Sequence, residues 1–202
     1  MPTDINSYIT TAINYCFDET HGYQIGGNMN PDTDCSGLIW QSLHDNGFDV
    51  GASRFDTSTM EAVLLSAGFT RYQYTPSFTL EHGDIVMYNE YTDPQHYNGH
   101  AFIYAENVYA YTHSNASTGD GSTGTVAKAR IEASSNRGRP APGDQDNGYG
   151  CHPEVWSHTY TDPSSDHTWY VFRYQGTPGP GGDFDLLMYK KIRQKNFNGF
   201  FI

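Results

Sequence analysis

At 202 residues with a formal net charge of −12, the chain lacks the basic stripe that a nucleic-acid partner demands. No run approaches the roughly 20 apolar residues of a membrane span. The opening MPTDINSYITTAINYCF has neither the basic start nor the apolar core of a secretory leader, so delivery outside a cell would need another agent. Hydrophobic residues make up only 37%, but 16 Tyr and 11 Phe bury large areas per side chain, so one catalytic-sized domain can still build a core.

The first predicted element covers residues 4–16, where Ile5, Tyr8, Ile9, Ala12, Ile13 and Cys16 recur at helical spacing on one face. Cys16 falls in that apolar stripe and reads as a small buried hydrophobe. A turn-rich stretch from His21 to Thr33 follows, with Gly26-Gly27 and Pro31. A second helix starts near Cys35, buries Leu38, Ile39 and Leu43, and stops at Asn46-Gly47, a suitable left-handed cap. A third opens around Ser58-x-x-Glu61, read as a capping box, and ends at Gly68.

Strand patterns take over from Phe69 to Tyr74, and Asp84-Ile85-Val86-Met87-Tyr88 is a short apolar run behind a His-Gly turn. Ala101–Tyr104 and Val108–Thr112 are predicted to form a hairpin through Glu106-Asn107. Trp169–Tyr174 carries the strongest β signal in the chain. Helices first and an antiparallel meander afterwards predict an α+β domain over residues 1–175. Within it, residues 114–168 read as a long, loop-rich insertion. Residues 176–183 form a Gly/Pro linker. Residues 184–202, a basic and apolar segment, read as a docking helix or the start of a further domain.

Three cysteines are an odd number, and their spacing suits neither a disulfide framework nor a zinc knuckle. The informative segment is Gly22-Tyr23-Gln24-Ile25-Gly26-Gly27 followed by Asp32-Thr33-Asp34-Cys35-Ser36-Gly37-Leu38. It places a cysteine at the first turn of an amphipathic helix, where unpaired N–H groups and the positive dipole end favour a thiolate. The same N–H groups can hold an oxyanion, and Gly37 lets another chain approach the helix closely. A nucleophile of this kind needs a base. His100 begins the strand Ala-Phe-Ile-Tyr, and the predicted hairpin would set His113 beside it to fix its tautomer, with Asn115 competing for that role.

Taken together, GYQIGG, DTDCSGL, LEHGDIV, GHAFIY and YTHSN resemble the NlpC-type cell-wall peptidases, papain-like cysteine hydrolases of peptidoglycan, and especially their bacteriophage branch. The resemblance covers roughly residues 5–175 in element order. It implies a papain-like domain with Cys35 as nucleophile, His100 as general base and acid, and His113 as the orienting residue. It also implies Tyr23, Asp34 and Ser36 in the substrate cleft. The implied partner is bacterial peptidoglycan, cut in the stem peptide or, alternatively, between N-acetylmuramic acid and L-alanine. The implied site of action is the bacterial wall, reached by phage lysis or on a virion, to which the C-terminal segment could bind. A rival reading of another class is an inert wall-binding or virion structural module.

No metal or organic cofactor is required by this chemistry. Cys151, His152, Glu154 and His158 match no zinc spacing. Asp144-x-Asp146-Asn147-Gly148 lacks the later Glu of a calcium loop.

Overall fold

A computed structural model describes residues 4–18, 21–29, 32–93, 96–113, 121–134, 153–157 and 167–176; at 91–93, 96–97, 111–113, 121–122, 153–154 and 156–157 it describes the backbone alone. The linker beyond Gly176 and the segment 184–202 lie outside the described residues, as does Asn115. Three helices come first: α1 Ile5–Phe17, α2 Cys35–Asp45 and α3 Met60–Ser66. Six strands follow: β1 Phe69–Gln73, β2 Ile85–Asp93, β3 His96–His113, β4 Gly121–Ala133, β5 Pro153–Ser157 and β6 Trp169–Tyr174. The fold is α+β, as the change of periodicity from 3.6 to 2 predicts.

Helix α1 begins because Asp4 caps it, its carboxylate accepting from the Asn6 backbone N–H at 3.1 Å. Tyr8, Ile9, Ala12 and Ile13 form its buried stripe. The α2 stripe of Leu38, Ile39 and Leu43 is fully buried against the same core, and Gly47 takes the expected left-handed conformation at φ 76°. Helix α3 is capped differently from the expected box. Thr59 occupies the cap position, but its hydroxyl turns back to Asp56 and caps no helix N–H. The carboxylate of Asp56 does the work instead, accepting from the backbone N–H groups of Ser58 and Thr59 at 2.9 and 3.0 Å.

The strands form one sheet in the order β1-β6-β2-β3-β4-β5. It is not a simple meander, because β6 returns to pair antiparallel with both β1 and β2. The predicted hairpin at Glu106-Asn107 does not form. Residues 96–113 are one 18-residue strand that runs antiparallel to β4 from Ile103↔Ile131 to His113↔Gly121. A two-residue hairpin turn of the favoured I′ type requires positive φ at both central residues. Here Asn107 alone has it, at 53°, so the backbone kinks within the strand without reversing.

The segment 114–168 is likewise less irregular than expected. It contributes β4 and β5, which pair with each other antiparallel, while Thr112 of β3 meets Val155 of β5 in parallel. The apolar core divides into two clusters. The larger joins the helix stripes to Ile85, Met87, Ala101, Ile103, Ile131 and Phe172, whereas the smaller holds Val86, Phe102, Tyr104, Trp169 and Val171. Alternation along β2 and β3 assigns neighbouring residues to different clusters, as the pleat requires.

The Gly-Asp pair before β2 is structural. Gly83 takes φ 91° where a side chain would strike Ile5. Asp84, fully buried, accepts from Nε and Nη2 of Arg173 at 2.8 and 2.7 Å in a bidentate pair that ties the start of β2 to β6. No helix among the described residues is long and apolar enough to cross a membrane.

Candidate active site

Cys35 is the first residue of α2 and is 6% exposed. Asp34 ends the preceding extended chain and caps the helix, one carboxylate oxygen accepting from the Gly37 N–H and the Ser36 hydroxyl, each at 2.8 Å. The other oxygen accepts from the Gly26 N–H at 2.7 Å, which fastens the glycine turn to the helix end. That turn packs close because Gly37 has no side chain: a Cβ there would lie 2.5 Å from Thr33 Oγ1 and 2.8 Å from the Gly27 carbonyl oxygen.

Arg54 completes the cluster. Its Nη2 donates to Asp34 Oδ1 at 2.6 Å and to Ser36 Oγ at 2.8 Å, and its Nη1 donates to the Gly27 carbonyl. Asp34 and Ser36, expected in the substrate cleft, are therefore buried components of the helix end. Their polar atoms serve the cap, the turn and Arg54, because a carboxylate beside four donors is better satisfied inside than at an open cleft. Tyr23 is half-buried, packs against the main core and bridges to Thr33 through its backbone.

His100 stands on β3 opposite Tyr88 of β2. Its imidazole lies beside Cys35, whose proximity helps to raise its pKa, and its Nε2 lies 2.6 Å from Oε2 of Glu132 on β4. Ile103 opposes Ile131, so Glu132, one step further along β4, is within diagonal reach of His100. Glu132 is 1% exposed, and the same oxygen accepts from Arg130 Nε at 2.7 Å. The Arg130 guanidinium in turn lies over the Phe102 ring, 4.1 Å from its centroid.

Burial by itself would make His100 a weaker base. The Glu132 charge, the hydrogen bonds to Cys35 and Glu132 and the Cys35 charge outweigh it and push its pKa up to about 9. An imidazolium donates from both nitrogens, which suits a ring held between a sulfur and a carboxylate. On the adjacent strand, burial and then the neighbouring Cys35 charge raise the Tyr88 phenol above its ordinary value. Tyr88 also stacks on His167, with ring centroids 4.1 Å apart, and meets the edge of Trp169. This aromatic group forms a wall beside His100.

The structure thus brings Cys35 and His100 together, but gives the place beside His100 Nε2 to Glu132. His113, expected to fill it, is not on a neighbouring strand. It lies thirteen residues further along β3 itself, where its backbone pairs with Gly121. The reason is the missing reversal at Glu106-Asn107; the His113 side chain lies outside the described residues. Sequence reasoning missed Glu132, Arg54 and Tyr88. For Glu132 a signal existed: in Ala127–Ala133, Lys128, Arg130 and Glu132 alternate with Ala129, Ile131 and Ala133 at period 2.

Among known protein families, the model described as the NlpC/P60 family matches residues 20–133, more than half of the chain and the whole stretch from the glycine turn to Glu132. The chain belongs to the NlpC/P60 family. Members of the NlpC/P60 family are cysteine peptidases that act on peptidoglycan, and membership suggests a cell-wall hydrolase activity for this chain. No curated protein matches it. Among the described residues of this NlpC/P60 chain, no group of three His, Cys, Asp or Glu side chains is arranged to hold a metal ion. Cys151, His152, His158 and residues 144–148 lie outside the described residues, and Glu154 is described by its backbone alone, in β5.

Proposed function

We propose that the protein hydrolyses an amide bond in the stem peptide of bacterial peptidoglycan, with Cys35 as nucleophile, His100 as general base and acid, and Glu132 as the residue that orients His100. The observation that carries this reading is the continuous chain of contacts from Cys35 through His100 to Glu132 and Arg130. Arg130, Glu132 and a protonated His100 together carry one net positive charge. In this reading the attacking sulfur supplies the balancing anion. The α2 N-terminus supplies N–H groups for the oxyanion that forms when sulfur adds to the amide carbonyl.

In this mechanism the thiolate attacks the carbonyl carbon, and the tetrahedral intermediate collapses as His100 gives its proton to the departing amine. The resulting neutral imidazole takes a proton from water, whose oxygen adds to the thioester. Collapse of the second intermediate releases the carboxylic acid and restores the sulfur. The bond we favour is the one after D-glutamate. The likeness of GYQIGG, DTDCSGL and GHAFIY to the phage branch supports a lysin or a tail-borne enzyme, brought to the wall by lysis or on a virion.

Purified muropeptides of defined structure, incubated with wild type and with Cys35→Ala, test this. Wild type should release fragments whose masses place the cut after D-glutamate, and Cys35→Ala should release none. A cut between N-acetylmuramic acid and L-alanine would replace the stem-peptide assignment with the amidase. Equal behaviour of the two proteins would remove Cys35 from the reaction and favour a wall-binding module.

A further inference from the structure

Arg54 stands outside the contacts that define the nucleophile and its base, yet it touches three parts of the helix end on which Cys35 is mounted. Its guanidinium bonds the Asp34 carboxylate, the Ser36 hydroxyl and the carbonyl of Gly27, residues on either side of the sulfur and on the turn beside it. The arrangement is enclosed: the Arg54 side chain is 16% exposed and that of Asp34 10%. Gly37 has no Cβ, and one placed there would lie 3.2 Å from Arg54 Nη1, so the sequence leaves room for the guanidinium at the first turn of α2.

The consequence is electrostatic. Asp34 is a good cap, but it puts a carboxylate one residue before a sulfur that the reaction needs as an anion. Like charges in one site oppose each other's ionisation. Planar donors that meet a carboxylate at short range keep the cap while cancelling its charge. Among the described residues, the other ionisable groups around the sulfur include His100 on β3, Glu132 and Arg130 behind it on β4, and Tyr88 on β2. None of these is bonded to Asp34.

We propose that Arg54 is a positioning residue for the reaction: by pairing with Asp34 and gripping the Gly26-Gly27 turn, it keeps the cap of α2 from opposing the Cys35 thiolate. The proposal rests on the assignment of Cys35 as nucleophile and names a residue that the assignment does not require.

Alkylation by iodoacetamide, followed peptide by peptide in a mass spectrometer so that Cys16 and Cys151 are read separately, reports on the Cys35 sulfur directly. At pH 7, Arg54→Met should slow alkylation of Cys35 about tenfold, the effect of an uncancelled neighbouring charge. Adding Asp34→Asn to Arg54→Met removes that charge and keeps a capping side chain. The double variant should therefore recover to within about threefold of wild type. Arg54→Lys should stay close to wild type. A residue that merely held the fold together would predict the opposite order, with the double variant the least reactive. That order, or an unchanged rate in Arg54→Met, would overturn the proposal. If Arg54→Met does not fold, Arg54→Gln carries the same comparison. Failure of the catalytic assignment reads differently: Cys35→Ala would then keep full hydrolytic activity whatever Arg54 does.

Discussion

Oε2 of Glu132 lies 2.6 Å from Nε2 of His100, although 32 residues separate the two in the chain and they sit on different strands. That contact fixes which imidazole nitrogen faces the sulfur. It also surrounds the ring with a carboxylate on one side and a thiol on the other.

Replacing Glu132 by Gln preserves the shape and removes the charge. Turnover of muropeptide should fall on the order of 100-fold or more, since loss of a correctly charged orienting group upsets both tautomer and imidazolium. KM should change little, because Glu132 is buried behind His100. Steady-state kinetics on a defined muropeptide separates the two quantities. His113→Ala, by contrast, should leave turnover within a factor of a few of wild type.

Protonation of His100 is linked to folding. Its folded pKa of about 9 lies above the ordinary 6.5, so the proton binds the folded state more tightly. The stabilisation is complete below about pH 6.5 and is lost as pH rises through 9. The thermal midpoint should accordingly drop across that window, and the drop should be smaller in Glu132→Gln, where the largest raising influence is gone. A melting series at fixed ionic strength reads both slopes.

The pair between Asp84 and Arg173 is a matter of stability and not of chemistry. Asp84→Ala leaves Arg173 without its bidentate partner at the join of β2 and β6, and should cost about 3–5 kcal/mol in denaturant unfolding. Catalysis per folded molecule should be retained, because neither residue touches the Cys35 cluster.

Gly37→Ala should be destabilising even though alanine is the better helix former. The added Cβ meets Thr33 Oγ1 and the Gly27 carbonyl oxygen at 2.5 and 2.8 Å, and overpacking of this sort costs about 1–3 kcal/mol. Urea unfolding measures it. The alkylation rate of Cys35 should fall as well, because the displaced turn carries the Gly26 N–H that holds Asp34.

The helices and the nucleophile were legible in the sequence for a local reason. Ile5 to Cys16 and Leu38 to Leu43 repeat at helical spacing, and Asp34 announces the start of α2 within three residues of the group it caps. What escaped depends on distant pairing. Glu106-Asn107 has the letters of a turn, but the pairing of β3 with β4 over ten register positions carries the strand past the kink at Asn107 without reversal. Tertiary pairing outweighs local turn preference there. Glu132 stands on a strand whose alternation is legible, but only the long-range pairing of β4 with β3 puts it beside His100. Arg54 sits in an irregular stretch whose meaning lies in its hydrogen bonds, and nothing in the neighbouring letters reports those.

The place of β6 between β1 and β2 bears on how the chain acquires its shape during synthesis. The family match ends at residue 133, yet the strand that completes the middle of the sheet is drawn from residues 169–174. Until the ribosome has released that far end, β1 and β2 each present an open edge, and Asp84 waits without its arginine. Final closure is therefore a late, long-range event, which slows folding and leaves the nascent chain exposed to edge-to-edge association. A fragment trimmed at the family boundary would keep Cys35, His100 and Glu132 and lose the strand that locks their scaffold shut.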